Sequence, residues 1–519
     1  MATKDLCYHR ESSEDVHRRW VTGGASLMNL RLQATFDAVR EEMRAIVSRY
    51  GAAECSVVVA AVVLLLARFW GLDSVTPGFH TDEMTMLANS VCLRHTGVDL
   101  WGHGWGFSSG GPINAYGYVI GTPVHYNVVY ALWLFIAGDS IAAARSLEVI
   151  ISLVMVACTT GTAYNFLGRR AAVWALALSA ISPWMWALSR VAFIHPEFHS
   201  MHLFIGVWLL SRHIRRGDDP TTKELIIAGL LFGVSLFSPY STIPTVLVAV
   251  LFSVYLYMRG RLWRPIGMVW ACVLATYIPL QVGLSKYTNE RIGQMDIFKA
   301  LEAENSLLGK GMKLIQITWD RLMGHLSMDY LVLKGDGNLR HHSGWGGELS
   351  WPQILLVALL PVFIYVVYKR ASDYRRELQL MCLACVGALG GLLTASMAGE
   401  QTHANRSLPA AQFLVLGCVA VAITLAPLKK YLSTACIVLG ILFAGYYLND
   451  YFTKFAVRSD SSFQSDVRAA GERAQATGDY QGFREQLPQF MQRYGLLADV
   501  GLVYYEAEGS GKGCPGYGK

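Results

Sequence analysis

The 519-residue chain is poor in charge: Asp, Glu, Lys and Arg make up 16% of it. A soluble enzyme usually carries nearer a quarter. The ten cysteines show no zinc-ligand spacing, so they imply no structural zinc site. Cys382 and Cys385 form a CxxC pair, but inside the apolar stretch "LQLMCLACVGALGG", where small core residues are the expected reading. Cys92 and Cys514 could both lie outside the membrane and pair. No GxGxxG follows a strand, so no nucleotide-binding fold is implied. No cleavable signal peptide is visible in the polar N-terminal stretch, and there is no internal repeat or low-complexity tract.

What is abundant is apolar sequence. Hydrophobic residues make up 53% of the chain and the mean hydropathy is +0.33. They cluster in runs of roughly 17 to 25 residues, the length that crosses a bilayer as a helix. The expectation is an all-α polytopic membrane protein. Its spans number about eleven, near 53–70, 141–166, 171–189, 196–212, 224–239, 241–258, 265–284, 352–368, 378–398, 407–425 and 430–448.

Positive charge orients them. Alternate connections carry "GRR", "RHIRRGDD", "RGRLWR", "KRASDYRR" and "KK", while the connections between are poor in Lys and Arg. This places the basic set and the N-terminus in the cytoplasm and the C-terminus outside, with the plasma (inner) membrane as the location. The stretch "GTPVHYNVVYALWLFIAG" reads as a juxtamembrane or re-entrant element, because a full crossing there would invert every later loop. Three regions follow. Residues 1–52 are cytoplasmic, with Leu32, Phe36, Val39, Met43, Ile46 and Tyr50 spaced as an amphipathic surface helix or, alternatively, a plain linker. Residues 53–449 form the membrane module, with outer loops 71–140 and 285–351. Residues 450–519 read as a small extracytoplasmic helical domain.

The outer face collects the reactive groups. The first loop supplies His80, Asp82 and Glu83, and "SRVAFIHPEFH" supplies Arg190, His195, Glu197 and His199. "YLVLKGDGNLRHHSGWGGELSW" adds Lys334, Asp336, Arg340, His341 and His342, and "EQTHANRS" adds Glu400, His403 and Arg406. Asp82 stands where a helix starts, so capping alone could explain it. Adjacent helical residues point roughly 100° apart, so Asp82 and Glu83 cannot easily serve one atom. One could act as a general base while the other orients a partner. Lys334 and Arg340 lie in a glycine-loosened loop able to wrap a phosphate, or simply to be solvated. Arg406 opens a span and could merely anchor it. The loop "VDLWGHGWGFSSGGPINAYGYVI" holds Trp105 and Tyr116, suited to sugar stacking or to interface anchoring.

The Asp-Glu pair after the first span, "SPWMWALSRVAF", "LVLKGDGNLRHH" and "HANRSLPAA", in this order and on one side, resemble the GT-C membrane glycosyltransferases. The likeness is to the protein O-mannosyltransferase-like branch, glycosyltransferase family 39, with the aminoarabinose transferases of lipid A more distant. It runs through most of residues 55–450. It implies a GT-C fold and an inverting transferase that uses a polyprenyl-phosphate sugar donor on the outer face. By the resemblance Asp82 matches the catalytic base and Glu83 its acidic neighbour. Arg340 and Arg406 match donor-phosphate positions, with Lys334, His341 and His403 close by, and Arg190, Glu197, Trp105 and Tyr116 are candidates for the acceptor or sugar.

The acceptor expected is a hydroxyl on a glycan, lipid or protein; membrane lipids are partners and nucleic acid is not. No cofactor is certain and a divalent metal is left open, since His80, His195, His199 and His403 share a face with Asp82 but lack ligand spacing. Nothing suggests the β-trefoil insertions of eukaryotic members. The alternative function is a transporter or flippase of a lipid-linked or anionic substrate, which expects charges near the midplane. Arg145 and Glu148, near the start of a span, are among the few such charges.

Overall fold

A computed structural model describes residues 51–79, 81–100, 125–192, 194–260, 263–284, 296–397, 402–425, 429–494, 497–508 and 513–515, together with 41, 48, 102, 108–112 and 119–123. The helix expected over 32–50 lies almost wholly outside the described residues. The chain divides into two compact units, Met1–Ala60 and Ala61–Lys519.

α1 (Ala52–Leu66) precedes the first-loop helix α2 (Thr81–Thr96), and a two-stranded antiparallel ribbon, β1 (Ser108–Pro112) with β2 (Val119–Pro123), leads into α3 (His125–Ala137). Then come α4 (Ile141–Leu167), α5 (Arg169–Ala180), α6 (Pro183–Leu188), α7 (Ile194–Arg216), α8 (Thr222–Ser235), α9 (Pro239–Met258) and α10 (Trp263–Leu284). The large loop carries α11 (Asp296–Glu302) and α12 (Leu307–His325). The chain returns through α13 (Trp351–Ala358), α14 (Leu360–Lys369), α15 (Arg375–Met397), α16 (Leu408–Thr424) and α17 (Lys429–Ser459). It finishes with α18 (Ser465–Thr477), α19 (Gln481–Tyr494) and α20 (Leu497–Ala507).

Local chemistry sets the breaks. Ser182 caps α6 by accepting the Met185 N–H, and Pro183 occupies the first helical turn. These two residues split the span expected over 171–189 into α5 and α6. Thr221 and Glu224 form a reciprocal capping box at the start of α8. α3 has 13 residues, a length of about 20 Å, too short for a hydrocarbon core of about 30 Å.

The protein is a multi-pass membrane protein. By length and apolarity, five described helical segments can cross a bilayer: Ala52–Phe69, Ile141–Leu167, Pro239–Met258, Arg375–Met397 and Tyr431–Ser462. The pair α13–α14, bent by 42°, makes a sixth. Every expected span coincides with a helix or a helix pair, but the count by this measure is below about eleven. α8 and α16 have only 14 and 17 residues, and α5–α6 is interrupted. In the bundle α15 packs on α9 and α16. There a Cβ at Gly390 would come within 2.6 Å of the Pro244 Cα, so only glycine allows that approach. Cys382 and Cys385 lie on the exposed face of α15 and not in the core, since residues 383 and 384 take the buried positions.

The C-terminal helices seat on the first loop. Cys92 of α2 forms a disulfide with Cys514, the pairing that the sequence left as a possibility. Phe79 meets Tyr504 edge-on, with ring centroids 5.5 Å apart, and the Tyr504 hydroxyl donates to the Asp139 carbonyl at 2.8 Å. A Cβ at Gly78 would lie 1.8 Å from the Phe463 carbonyl oxygen, so glycine is required for the two backbones to meet.

Candidate active site

The two first-loop carboxylates differ sharply in surroundings. Both sit in the first turn of α2, where the helix dipole favours negative charge. Asp82 is half-buried, whereas Glu83 is fully buried. Arg145 of α4 grips Glu83 at two points, Nε to Oε1 and Nη2 to Oε2, each at 2.8 Å. The same guanidinium donates to the carbonyls of Leu72, Thr76 and Gly78. Glu83 Oε1 also accepts the Ala192 N–H at 2.8 Å. An Arg near the start of an apolar span needs a buried partner, and this was the one sequence signal for the pair.

The remaining motif segments are wired to one another through backbone groups. Trp184, from "SPWMW", donates its Nε1–H to the Ala404 carbonyl of "HANRS" at 2.8 Å. The Ala404 N–H in turn donates to Asp336 Oδ2, in "KGDGNLRHH", at 2.7 Å. Asp336 Oδ1 accepts the Asn338 N–H at 2.8 Å, and Asn338 Oδ1 takes both the backbone N–H and the Nε–H of Arg340 at 3.1 Å. Arg406 is buried, with its guanidinium 5.9 Å above the Tyr240 ring. One carboxylate thus ties the loop of Arg340 to the segment of Arg406. Arg458 of α17 donates to the Ser343 carbonyl and pairs with Asp450, fixing the far side of that loop.

Burial alone would raise the Asp336 carboxyl, but hydrogen bonds from His341 and from the N–H groups of Ala404 and Asn338 hold it below the usual carboxylate range. Burial pushes the His342 ring down to about 4, against the raising charge of Asp336. Gly335, at φ +69°, makes room for that ring: a Cβ there would lie 2.5 Å from it. His341 and His403 stack with centroids 4.3 Å apart, and His341 Nδ1 lies 3.4 Å from Asp336 Oδ2. Asp336, His341 and His403 bring one oxygen and two nitrogen ligand atoms within 4.8 Å of one another, a donor set suited to zinc or a similar ion. His403 Nδ1 already accepts the Arg406 N–H at 3.3 Å, so its ring would have to rearrange protons to serve as a ligand.

The other candidates are distributed differently. Arg190 is buried and donates to the carbonyls of Arg68, Trp70 and Gly71, with Tyr451 and Phe452 beneath its guanidinium. It holds the chain leaving α1. Glu197 is buried on α7 with neither carboxylate oxygen hydrogen-bonded. Lys334 is exposed and pairs with Asp329 at 2.7 Å. His199 is buried against Phe198 and Phe237. Trp105, Tyr116, His80 and Glu400, and the His195 side chain, lie outside the described residues.

Residues 122–282 match the family model of dolichyl-phosphate-mannose-protein mannosyltransferases. That segment includes Arg145, Arg190 and Glu197, and leaves out Asp82, Arg340 and Arg406. No curated protein matches the chain significantly. Among solved structures, ArnT from Cupriavidus metallidurans in the apo state is similar at 12% identity and a TM-score of 0.46, over 89% of this chain and 76% of that one. The same ArnT bound to undecaprenyl phosphate gives 13%, 0.44, 88% and 75%. The Archaeoglobus fulgidus oligosaccharyltransferase in the apo form gives 15%, 0.48, 90% and 65%. The family match over residues 122–282 agrees with the likeness read from the motifs.

Proposed function

We propose that the protein transfers a sugar from a polyprenyl-phosphate donor to a hydroxyl acceptor on the extracytoplasmic face, with inversion. Asp82 takes the acceptor proton as the hydroxyl oxygen bonds to the anomeric carbon. The bond from that carbon to the phosphate oxygen breaks, and the lipid phosphate leaves as an anion balanced by Arg340 and Arg406. A single displacement from the opposite side inverts the anomeric centre. Glu83 is a positioning residue, because its oxygens are taken by Arg145 and Ala192. No step of this scheme needs a metal. The observation that carries the reading is the shared tie at Asp336, which holds the segments of both arginines.

Two findings support the sidedness and the lipid donor. The Cys92–Cys514 disulfide suits an oxidising compartment, hence the outer face for α2 and the C-terminal helices. In ArnT, one of the similar structures holds undecaprenyl phosphate. The test is to reconstitute the protein in vesicles with a sugar-labelled polyprenyl phosphate on one side. Release of polyprenyl phosphate with label moving to an acceptor is expected; intact donor crossing the bilayer without cleavage makes the protein a transporter instead.

A further inference from the structure

A cleft of about 1120 Å³ lies between residues 336–340 of the large loop and residues 460–466, the connection after α17 and the start of α18, with Arg493 of α19 also lining it. We propose that this cleft is the acceptor seat and that the acceptor part it takes is a carbohydrate. The assignment to an acceptor rests on the glycosyltransferase reading; the assignment to a carbohydrate rests on the cleft itself.

Gln464 marks the cleft as built to hold something. It is the only non-glycine among the described residues with a positive φ, +50°, a conformation that costs energy and persists only where the surroundings enforce it. Its side chain lines the cleft, is 4% exposed, makes no cap hydrogen bond to α18, and leaves Oε1 without a hydrogen-bond partner. Buried amide oxygens are almost always satisfied, and this exception belongs to a residue of the cleft wall. Phe463 and Gln464 pack directly against Gly78, four residues before Asp82. The wall of the cleft and the segment carrying the proposed base are therefore in direct contact, and the Cys92–Cys514 bond ties α2 to the C-terminal end of the chain.

The lining selects the ligand class. Asp460 supplies a carboxylate, Asn338 and Gln464 amides, and Ser461 and Ser465 hydroxyls; Arg340 also lines the cleft, and Asp466 is paired with Arg493 at 2.6 Å. Leu339 is the only apolar side chain among the lining residues, and none is aromatic. Each hydroxyl of a sugar both donates and accepts, and neighbouring hydroxyls match closely spaced carboxylate, amide and hydroxyl groups. With one apolar side chain in the lining, the cleft offers a polyprenyl tail little to pack against. An extended peptide would look for a sheet edge, and none of the lining residues lies on a strand. The volume matches or exceeds the range of about 300–1,000 Å³ typical of small-ligand clefts, so it has room for more than one sugar unit.

The experiment is equilibrium binding to the full-length protein in nanodiscs, with mannotetraose, arabinotetraose and chitotetraose as probes and a Ser/Thr-rich decapeptide as the counter-probe. Ser461→Trp and Ser462→Trp each place a bulky ring in the cleft, and Ser461 is exposed, so at least that variant keeps the fold. Binding of at least one tetraose by the wild type, weakened tenfold or more in both variants, with no binding of the peptide, is expected. No tetraose bound, unchanged binding in Ser461→Trp, or preferential binding of the peptide overturns the proposal. Donor cleavage by the same wild-type preparation is scored separately. Cleavage without tetraose binding sinks the carbohydrate seat and spares the transferase; tetraose binding without donor cleavage leaves a glycan site but removes its role as acceptor seat.

Discussion

Arg145 closes a two-point ion pair on Glu83, both contacts at 2.8 Å and both side chains fully buried. Breaking a buried pair by removing one partner leaves an uncompensated charge and costs about 3–5 kcal/mol. Arg145→Met is therefore expected to lower the midpoint of thermal unfolding strongly. Glu83→Gln, which keeps an oxygen for Arg145 and for the Ala192 N–H, should cost less. A thermal scan of both variants in detergent checks the order.

Asp336 holds two segments at once, so its loss should be felt in donor binding more than in turnover. Asp336→Ala frees the N–H groups of Ala404 and Asn338, each hydrogen bond to a charged group being worth about 1.5–3 kcal/mol. A rise of about 10- to 100-fold in the KM for the lipid donor, with kcat changed far less, is the expected result. Steady-state kinetics over a donor concentration series gives the split.

His342 predicts a pH dependence of stability. Its ring is held at about 4 by burial, against about 6.5 in an unfolded chain. Between these values the unfolded state binds a proton that the folded state refuses, so stability is full above about 6.5 and falls as the pH drops toward 4. The loss attributable to this ring is about 3 kcal/mol. Thermal scans from pH 7 to pH 4.5 should show it, and His342→Gln should flatten that part of the profile.

The Cys92–Cys514 bond makes the C-terminal helices a covalent appendage of α2. Limited proteolysis in the connection after Ser459 should leave the fragments joined on a non-reducing gel and separate them under reducing conditions. Cys514→Ser should release the C-terminal fragment without reductant.

Much of this was legible in the sequence, for identifiable reasons. Apolar runs mark helices wherever they are long and uninterrupted, so α4, α9 and α15 stand where they were expected. The break at Ser182-Pro183 was written in cap and N1 residues, but a strong apolar run hid it. The four motif segments could be named because each carries reactive residue types, and the bonds among Trp184, Ala404 and Asp336 now join three of them. Pairing at long range was legible only as a possibility. Cys92 and Cys514 are 422 residues apart, and only the docking of α20 on α2 brings them together. Glu83 was legible only as the acidic neighbour of Asp82, because its pairing with Arg145 depends on the packing of α4. Gln464 carried no signal at all, since its left-handed backbone lies where the chain packs against Gly78, a contact 386 residues away in sequence.

The most direct measurement is single-turnover transfer from a sugar-labelled polyprenyl phosphate by the wild type and by Asp82→Asn, with donor binding measured in parallel. Removal of a positioned general base costs about 10²–10⁴ in rate. The expected result is a loss of that size in transfer with donor affinity within about threefold of the wild type. Transfer by Asp82→Asn at the wild-type rate would contradict the assignment of Asp82 as the base.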